Sequence, residues 1–397
     1  MSLMTVASAL AQLLQSADCS QDDQERLIEE TDGFILSRDV TSSIDVPPFS
    51  NSAMDGYAVR AEDVAVGQKL PVGQVIAAGA TGALHQAGSA SRIFTGAPMP
   101  LGADSVLIQE DAAEALGDYI VPTESVTAGD HVRTQGQDIE QGAVILSRGR
   151  KLRPADLALA ASVGLEALPV YQPLRVAILS TGDELVEPPA QLAPGQIYNS
   201  NRRALAASIK RLGMVPVDLG IVPDDETLTQ LRLREAAEQA DVVMTTGGVS
   251  VGDRDFVKQS VSSAGELELW KLAIKPGKPL AFGKVHGKPF FGLPGNPVSS
   301  IVTFVALATP YLLKKQGATD YLPMQWPGVA AFDFEGGGRQ EYLRVQLRPE
   351  QDEVRLHLYP QQGSGVMSSL AWADALAIIE PGQAVREGDR VQYLSLR

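Results

Sequence analysis

Asp241-Val-Val-Met-Thr-Thr-Gly-Gly-Val-Ser-Val-Gly252 is an apolar run of strand length that breaks into glycine and hydroxyl residues. Apolar residues without helical spacing, closed by a double glycine, describe a buried strand entering a tight turn. The neighbouring pattern repeats the unit. Arg175–Thr181 is a buried strand followed by Gly-Asp-Glu, and Arg202–Leu212 has helical spacing with Gly213 as its stop. Val215–Ile221 is a strand, Glu226–Gln239 a helix, and a further helix starts near Phe256. Strand–helix alternation of this kind predicts a doubly wound parallel sheet with right-handed crossovers, whose ligands sit beyond the carboxyl ends of the strands.

Two more runs share that chemistry, Lys271-Leu-Ala-Ile-Lys-Pro-Gly-Lys-Pro279 and Gly292-Leu-Pro-Gly-Asn-Pro-Val-Ser299. Glycines after a strand expose backbone N–H groups to an anion, and lysines neutralise its charge. Gly247, Gly248, Ser250 and Gly252 make neither the G-x-G-x-x-G pattern nor a GK[ST] loop, so alone they are equally a structural turn. Lys271, Lys275 and Lys278, interleaved with Pro276, Gly277 and Pro279, suit several anionic groups on one ligand, or a solvated basic loop. Asp224 and Asp225, then Asp253 and Asp255, offer carboxylates for a hard cation beside phosphates, or plain helix caps. Four histidines without metal-ligand spacing give no His-based centre.

Working outward, residues 2–17 carry a helical apolar stripe (Leu3, Val6, Ala7, Leu10, Leu13, Leu14), and Gln24–Ile35 reads as a second short helix. Val46–Asp138 is Gly- and Pro-rich with β-like runs at Pro71–Ile76, Ser105–Gln109 and Tyr119–Pro122, an expected β-rich lobe between helical pieces; Leu157–Val163 is helical again. Val298–Leu313 predicts a buried helix. Period-two alternation in Tyr342–Leu347, Val354–Tyr359 and Arg390–Leu396 predicts a small C-terminal barrel or sandwich.

The 397 residues carry 33 Lys plus Arg against 48 Asp plus Glu, a net charge of −15 that opposes broad nucleic-acid binding but not a local basic pocket. With 44% hydrophobic and 20% charged residues the composition is that of a globular chain. Cys19 is the only cysteine, which excludes an internal disulfide and a Cys-based zinc site. No secretory pattern opens the sequence and no uninterrupted apolar run reaches bilayer length, so the expectation is a cytoplasmic protein with no membrane partner.

Seven motifs in order, Asn51–Ala58, Thr95–Pro100, Gly136–Asp138, Ser180–Leu185, Thr246–Gly252, Lys271–Pro279 and Leu293–Ser299, resemble the molybdopterin molybdenumtransferases of the MoeA type, which are similar to the C-terminal domain of gephyrin. The match runs from about Asp45 to Ser299, with Gly363-Ser-Gly365 as its main hook further on. The resemblance implies an α/β multidomain transferase: an elongated linker and dimerisation domain (1–44 plus 139–170), an inserted β-rich lobe (45–138), an α/β molybdopterin-binding domain (171–318) and a β-barrel (319–397). It implies that adenylylated molybdopterin and molybdate give molybdenum cofactor with release of AMP, in a Mg2+-dependent step. It implies a homodimer whose cleft lies between subunits, with molybdopterin adenylyltransferase and recipient molybdoenzymes as further partners.

By the same resemblance Asp55, Thr95, Asp138, Glu184, Asp224, Asp255, Lys271 and Lys275 act in the reaction, Asp224 and Asp255 holding Mg2+. Thr181, Gly182, Gly247, Gly248, Ser250, Gly252, Lys278, Pro294, Gly295, Asn296, Pro297, Arg344 and Ser364 bind substrate. Two alternatives stay beside it: molybdopterin adenylyltransferase, whose small relatives share the Thr-Gly-Gly strand end, and a non-catalytic gephyrin-like scaffold. The inserted lobe and barrel argue against the first, and the intact acidic and lysine positions against the second.

Overall fold

The structure, a computed structural model, describes residues 3–115, 118–248, 256–350 and 352–396. Its centre is a six-stranded sheet. Arg175–Thr181 lies between Val215–Val222 and Val242–Thr246, both parallel to it, and Lys288–Leu293 continues the parallel set beside Val242–Thr246. Helices Ser200–Arg211, Glu226–Gln239 and Phe256–Ala264 supply the crossovers. Arg175–Thr181 and Val242–Thr246 are nearly continuous buried runs, as strands covered on both faces must be, while Val215–Val222 at the sheet edge is largely half-exposed.

The expected all-parallel sheet is corrected at one edge, where Pro279–Val285 runs antiparallel to both of its neighbours, Lys288–Leu293 and Gly265–Lys271. The cause is local. His286 (φ 48°) and Gly287 (φ 80°) both have positive φ, the pattern of a two-residue hairpin turn, so Lys288–Leu293 folds straight back on its predecessor. That reversal carries the start of Pro279–Val285 and the end of Gly265–Lys271 to the edge where the parallel strands finish. All three chemistry-bearing runs therefore open on one edge.

Residues 297–315 form one continuous helix, with Pro297 at its first turn and a π turn at Phe304–Ala308 ahead of Pro310. Proline lacks the N–H that a regular α turn would use, and the wider turn absorbs the mismatch. By length and composition this helix is apolar enough to cross a membrane, contrary to the expectation that no run is. Its apolar window is 67% buried, however, against the central sheet and the Val6–Gln15 helix. Phe291, Phe282 and Tyr311 meet edge to face at 4.9–5.6 Å in this core.

The second predicted helix is not formed. Asp23–Leu27 is a strand paired antiparallel with Ala167–Tyr171, followed by a 3-10 turn at Ile28–Glu30. A short segment with weak periodicity is decided by the partner it pairs with, not by its own propensity. The first helix (Val6–Gln15) is formed and is capped by the Thr5 hydroxyl.

The inserted lobe carries a six-stranded sheet that includes Gly56–Val59, Leu70–Ile76, Ala90–Ile93 and Ser105–Ile108. At the other end of the chain, Gln325–Ala330, Gln340–Glu350, Glu353–Leu358, Ala375–Ile379 and Arg390–Ser395 close into a five-stranded barrel. Alternation along Gln340–Glu350 divides the strand between two cores. Leu343 and Val345 fill the barrel, while Tyr342 joins the core of the central domain. Ile274–Lys275 adds a short parallel strand to the barrel at Gln340–Glu341, so the lysine loop is itself the seam between the two bodies.

Candidate active site

At the carboxyl edge of the central sheet lies a cleft of about 930 Å³. Thr181 and Glu184 line it from one strand end, Thr246, Gly247 and Gly248 from the next, and Pro294–Pro297 from a third. Lys275–Pro279 forms one wall, and Gln362–Gly365 of the barrel closes it. The barrel loop is stapled in place, because Val298 N–H donates to the Ser364 carbonyl (3.0 Å).

Two helices start at the cleft, Ser200–Arg211 and the helix at Pro297, and helix N-termini favour anionic groups. The first is fixed by a polar network. Asn199 caps it by accepting from Arg202 N–H, and donates from Nδ2 to Glu187 at 3.1 Å. Glu187 and Asp218 pair with the Arg202 guanidinium at 2.6 and 2.5 Å. Those contacts hold the guanidinium pKa above its usual range, the Asp218 hydrogen bond most of all. Beneath them Ser180 Oγ lies 3.0 Å from Thr246 Oγ1, tying two strand ends together.

Gly248 has φ +67°, and a Cβ there would collide with the Val257 side chain and come within 2.9 Å of Thr181 Oγ1. Only glycine accommodates both the left-handed backbone and that approach. Gly182 (φ +141°) plays the same part for Glu184, whose carboxylate occupies the space a Cβ would need.

Lys275 is about half exposed at 48% and pairs with Glu341 at 2.9 Å, a carboxylate only 3% exposed. Glu341 also accepts the Gly337 N–H at 3.0 Å. Arg344 is fully buried and does not line the cleft. Its guanidinium donates to Tyr342 O (3.1 Å), Ser369 Oγ (3.1 Å) and Gly363 O (3.2 Å), and burial pushes its pKa down to about 10. The expected ligand contact is therefore replaced by support of the Gly363–Gly365 loop from behind. The alternation that points Tyr342 at the central domain points Arg344 the same way.

Of the residues expected from sequence, Thr181, Glu184, Gly247, Gly248, Lys275, Lys278, Pro294, Gly295, Asn296, Pro297 and Ser364 line this cleft. Lys271 does not; its side chain is exposed, and its carbonyl accepts Met4 N–H at 2.9 Å. Ser250, Gly252, Asp253 and Asp255 lie outside the described residues. Asp224 is exposed beside the cleft strands, and its N–H donates to Asp183 Oδ1 at 3.0 Å. Its neighbour Asp225 is a helix cap, accepting Leu228 N–H at 2.8 Å. The strand that ends at Val222, two residues before Asp224, and the strand ending at Thr246 are not adjacent, since Arg175–Thr181 runs between them.

Among the described residues, none of the inserted lobe lines the cleft. The lobe instead gathers its own polar motifs. Asn51 bridges to Pro98 and pairs with Arg133, bringing the three segments side by side. Asp55 Oδ1 accepts both the N–H and the hydroxyl of Thr95 at 2.8 Å, and these two bonds, the backbone one foremost, hold its carboxyl below the usual range. Asp55 is therefore ionised throughout the neutral range. Asp138 is exposed on the neighbouring loop.

Sequence reading missed Asn199, Ser200 and Asn201, together with Arg339 and Gln362. A signal existed for the first three, because an asparagine before a helical pattern is a cap at a strand-to-helix turn. None existed for Arg339 or Gln362, which reach the cleft only because the barrel docks there.

Fold and site together define a multidomain α/β protein with an anion-accepting cleft at the carboxyl edge of a doubly wound sheet. Residues 4–164 match the MoeA N-terminal region (domain I and II), 177–314 the family described as "Probable molybdopterin binding domain", and 327–396 the MoeA C-terminal region (domain IV). The chain is 36% identical over 382 residues to a molybdopterin molybdenumtransferase of Haemophilus influenzae, covering 95% of each chain. It is 34% identical to another from a Nostoc species, over all of this chain and 94% of the relative. A crystal structure of the molybdopterin biosynthesis MoeA protein of Pyrococcus horikoshii superposes with a TM-score of 0.81 at 33% identity, covering both chains completely. The chain belongs to the MoeA family.

Proposed function

We propose that this chain is a molybdopterin molybdenumtransferase, transferring molybdenum from molybdate to adenylylated molybdopterin with release of AMP. The observation that carries this reading is the cleft itself: room for a nucleotide-sized ligand, two helix starts and a lysine wall for its anionic groups, inside a chain matched by relatives of that name from end to end. Lys275 and Lys278 hold the phosphates or molybdate and offset the charge that develops as the phosphoanhydride opens. Gly247, Gly248 and the Pro294–Pro297 turn let the backbone approach the ligand, and Glu184 and Thr181 fix its other end. Catalysis on this reading is positional and electrostatic, with no covalent enzyme intermediate.

Among the described residues no three His, Cys, Asp or Glu side chains converge as a preformed metal centre. That fits Mg2+, which usually takes one or two carboxylates and completes its shell with substrate phosphates and water. Asp224 and Asp255 would hold it, and when bound it would neutralise charge on the phosphates. The test is a purified-protein assay with adenylylated molybdopterin and molybdate. AMP should appear together with active cofactor and without any requirement for ATP. Consumption of ATP with release of pyrophosphate would instead establish the adenylyltransferase, and no turnover with no ligand binding the scaffold.

The proposed assembly is a homodimer in which Asp55, Thr95 and Asp138 of one subunit face the cleft of the other. Its support is that the lobe presents an ionised carboxylate and polar loops while none of its described residues lines the cleft of its own chain. Mixing and reassociating Asp55→Ala and Lys275→Ala proteins, each inactive alone, should restore about a quarter of parent activity, because half the dimers then carry one intact site of two. Absence of recovery in verified heterodimers would place the lobe residues outside the site. A cytoplasmic location belongs to the same proposal.

A further inference from the structure

We infer that His85 is an acid-operated latch of the inserted lobe: neutral, its ring pins the 77–89 loop against Pro100–Gly102, and protonated it lets that loop go. The loop joins the parallel strands Leu70–Ile76 and Ala90–Ile93, and between residues 77 and 88 His85 is its only buried residue. His85 is 5% exposed, with Nδ1 2.9 Å from Ser91 Oγ and Nε2 buried without a partner among the described residues. Ser91 Oγ also accepts from Gln74 Nε2 at 3.1 Å, and the same amide clasps Ala83, accepting its N–H at 2.8 Å and donating to its carbonyl at 3.1 Å. The His85 N–H donates to the Leu101 carbonyl at 2.8 Å, and a Cβ on Gly82 would come within 3.3 Å of Pro100. The loop thus rests on the end of the Thr95–Pro100 motif and the two residues after it.

A neutral imidazole suits this setting. With its single proton on Nδ1 it donates to Ser91 and leaves Nε2 without a hydrogen. The imidazolium adds a buried N–H with no acceptor and a charge held out of water. The surrounding charges are already engaged. Asp63, in the turn Ala61–Asp63, accepts the Gly88 N–H at 2.8 Å and meets Arg60 Nε at 3.8 Å. Asp104 accepts the Ala61 N–H at 2.8 Å and the Ser105 hydroxyl at 2.9 Å. Glu62 pairs with Arg60, and Arg92, on the strand Ala90–Ile93, lies over the Tyr57 and Phe94 rings. Leu70–Ile76 and the loop itself carry no other charged residue. Burial outweighs the pull of Asp63 and Asp104, and Arg60 adds to it, so the His85 pKa lies below the usual 6.5. For a histidine shifted this way the closed loop has its full stability above about pH 6.5 and loses it as the pH falls through that value.

Hydrogen exchange of the full-length protein, corrected for intrinsic rates and read at the Ala83, His85 and Gly88 amides, tests the latch. Those amides should open about tenfold more readily at about pH 5 than at about pH 7.5, the size expected when one buried donor is left without an acceptor, while the Gly56–Val59 amides hold. His85→Gln keeps a neutral polar group for Ser91 and cannot titrate, so the pH step should vanish. An NMR titration of the His85 ring in the parent needs no variant, and its protonation should run over the same pH range as the opening of the loop. Equal protection of the parent loop at both pH values overturns the latch. So does a step of parent size in folded His85→Gln, or a ring that protonates while the loop stays closed. The latch needs no ligand in the cleft, so its failure leaves the proposed reaction as it stands.

Discussion

Lys275→Ala is expected to lower the rate of AMP release by about 10²- to 10³-fold, the size of effect seen when one preorganised donor to developing charge is removed. The loss has two parts that can be separated. One is chemical, since the ammonium leaves the cleft wall where phosphate or molybdate charge must be offset. The other is structural, because Glu341, only 3% exposed, keeps the Gly337 N–H but loses its cation. Breaking a fully buried pair costs several kcal/mol. With Lys275 about half exposed at 48%, a cost of about 1–2 kcal/mol is expected. Glu341→Gln in the Lys275→Ala background should recover most of that stability in a denaturant melt and none of the turnover. Normal AMP release by Lys275→Ala would remove the lysine loop from the reaction.

Gly248→Ala is the second large effect. A left-handed backbone at φ +67° costs an alanine about 1 kcal/mol, and contact with Val257 and Thr181 adds about 2 more, so about 3 kcal/mol of stability should go. Relief of that contact moves the turn that forms one cleft wall. A misplacement near 1 Å is enough to lower turnover by about a hundredfold. Chemical denaturation and steady-state AMP release read the two losses independently. A variant that unfolds with the parent and turns over normally would show that the turn adapts freely, and that close backbone approach is not needed there.

The elements legible in the sequence are those whose own residues carried the signal. Arg175–Thr181, Val215–Val222 and Glu226–Gln239 emerge within a residue or so of their bounds, because strand-length apolar runs alternate there with helix-length segments, and Gly182, Gly213 and Pro223 mark the breaks. Eleven of the expected site positions line one cleft. Thr181, Glu184, Gly247, Gly248 and Pro294–Pro297 do so because they follow parallel strands that the alternation had already aligned, whereas Lys275 and Lys278 come from the antiparallel edge and Ser364 from the barrel. What the sequence hid was pairing. Asp23–Leu27 became a strand because Ala167–Tyr171 lies beside it, and the antiparallel sheet edge follows from His286 and Gly287, a turn easily passed over. Arg344 was recognisable as a site-associated cation, but only its register in the barrel shows that it braces a loop rather than facing the ligand. Arg339 and Gln362 belong to the cleft through docking of a separate body, which no local pattern encodes.

One residue in the lysine loop bears on how the protein comes into being. The N–H of Ala273 is taken by the Met4 carbonyl at 2.7 Å, and its carbonyl by Gln340 N–H at 2.9 Å. Residue 4 leaves the ribosome before any strand of the central sheet, and residue 340 emerges only after that whole sheet has been made. The wall that handles the anion is therefore the last part of the cleft to set, and a chain stalled before the barrel holds a fully paired sheet with an unanchored lysine loop. Ligand capture thereby waits for the strand that carries Gln340.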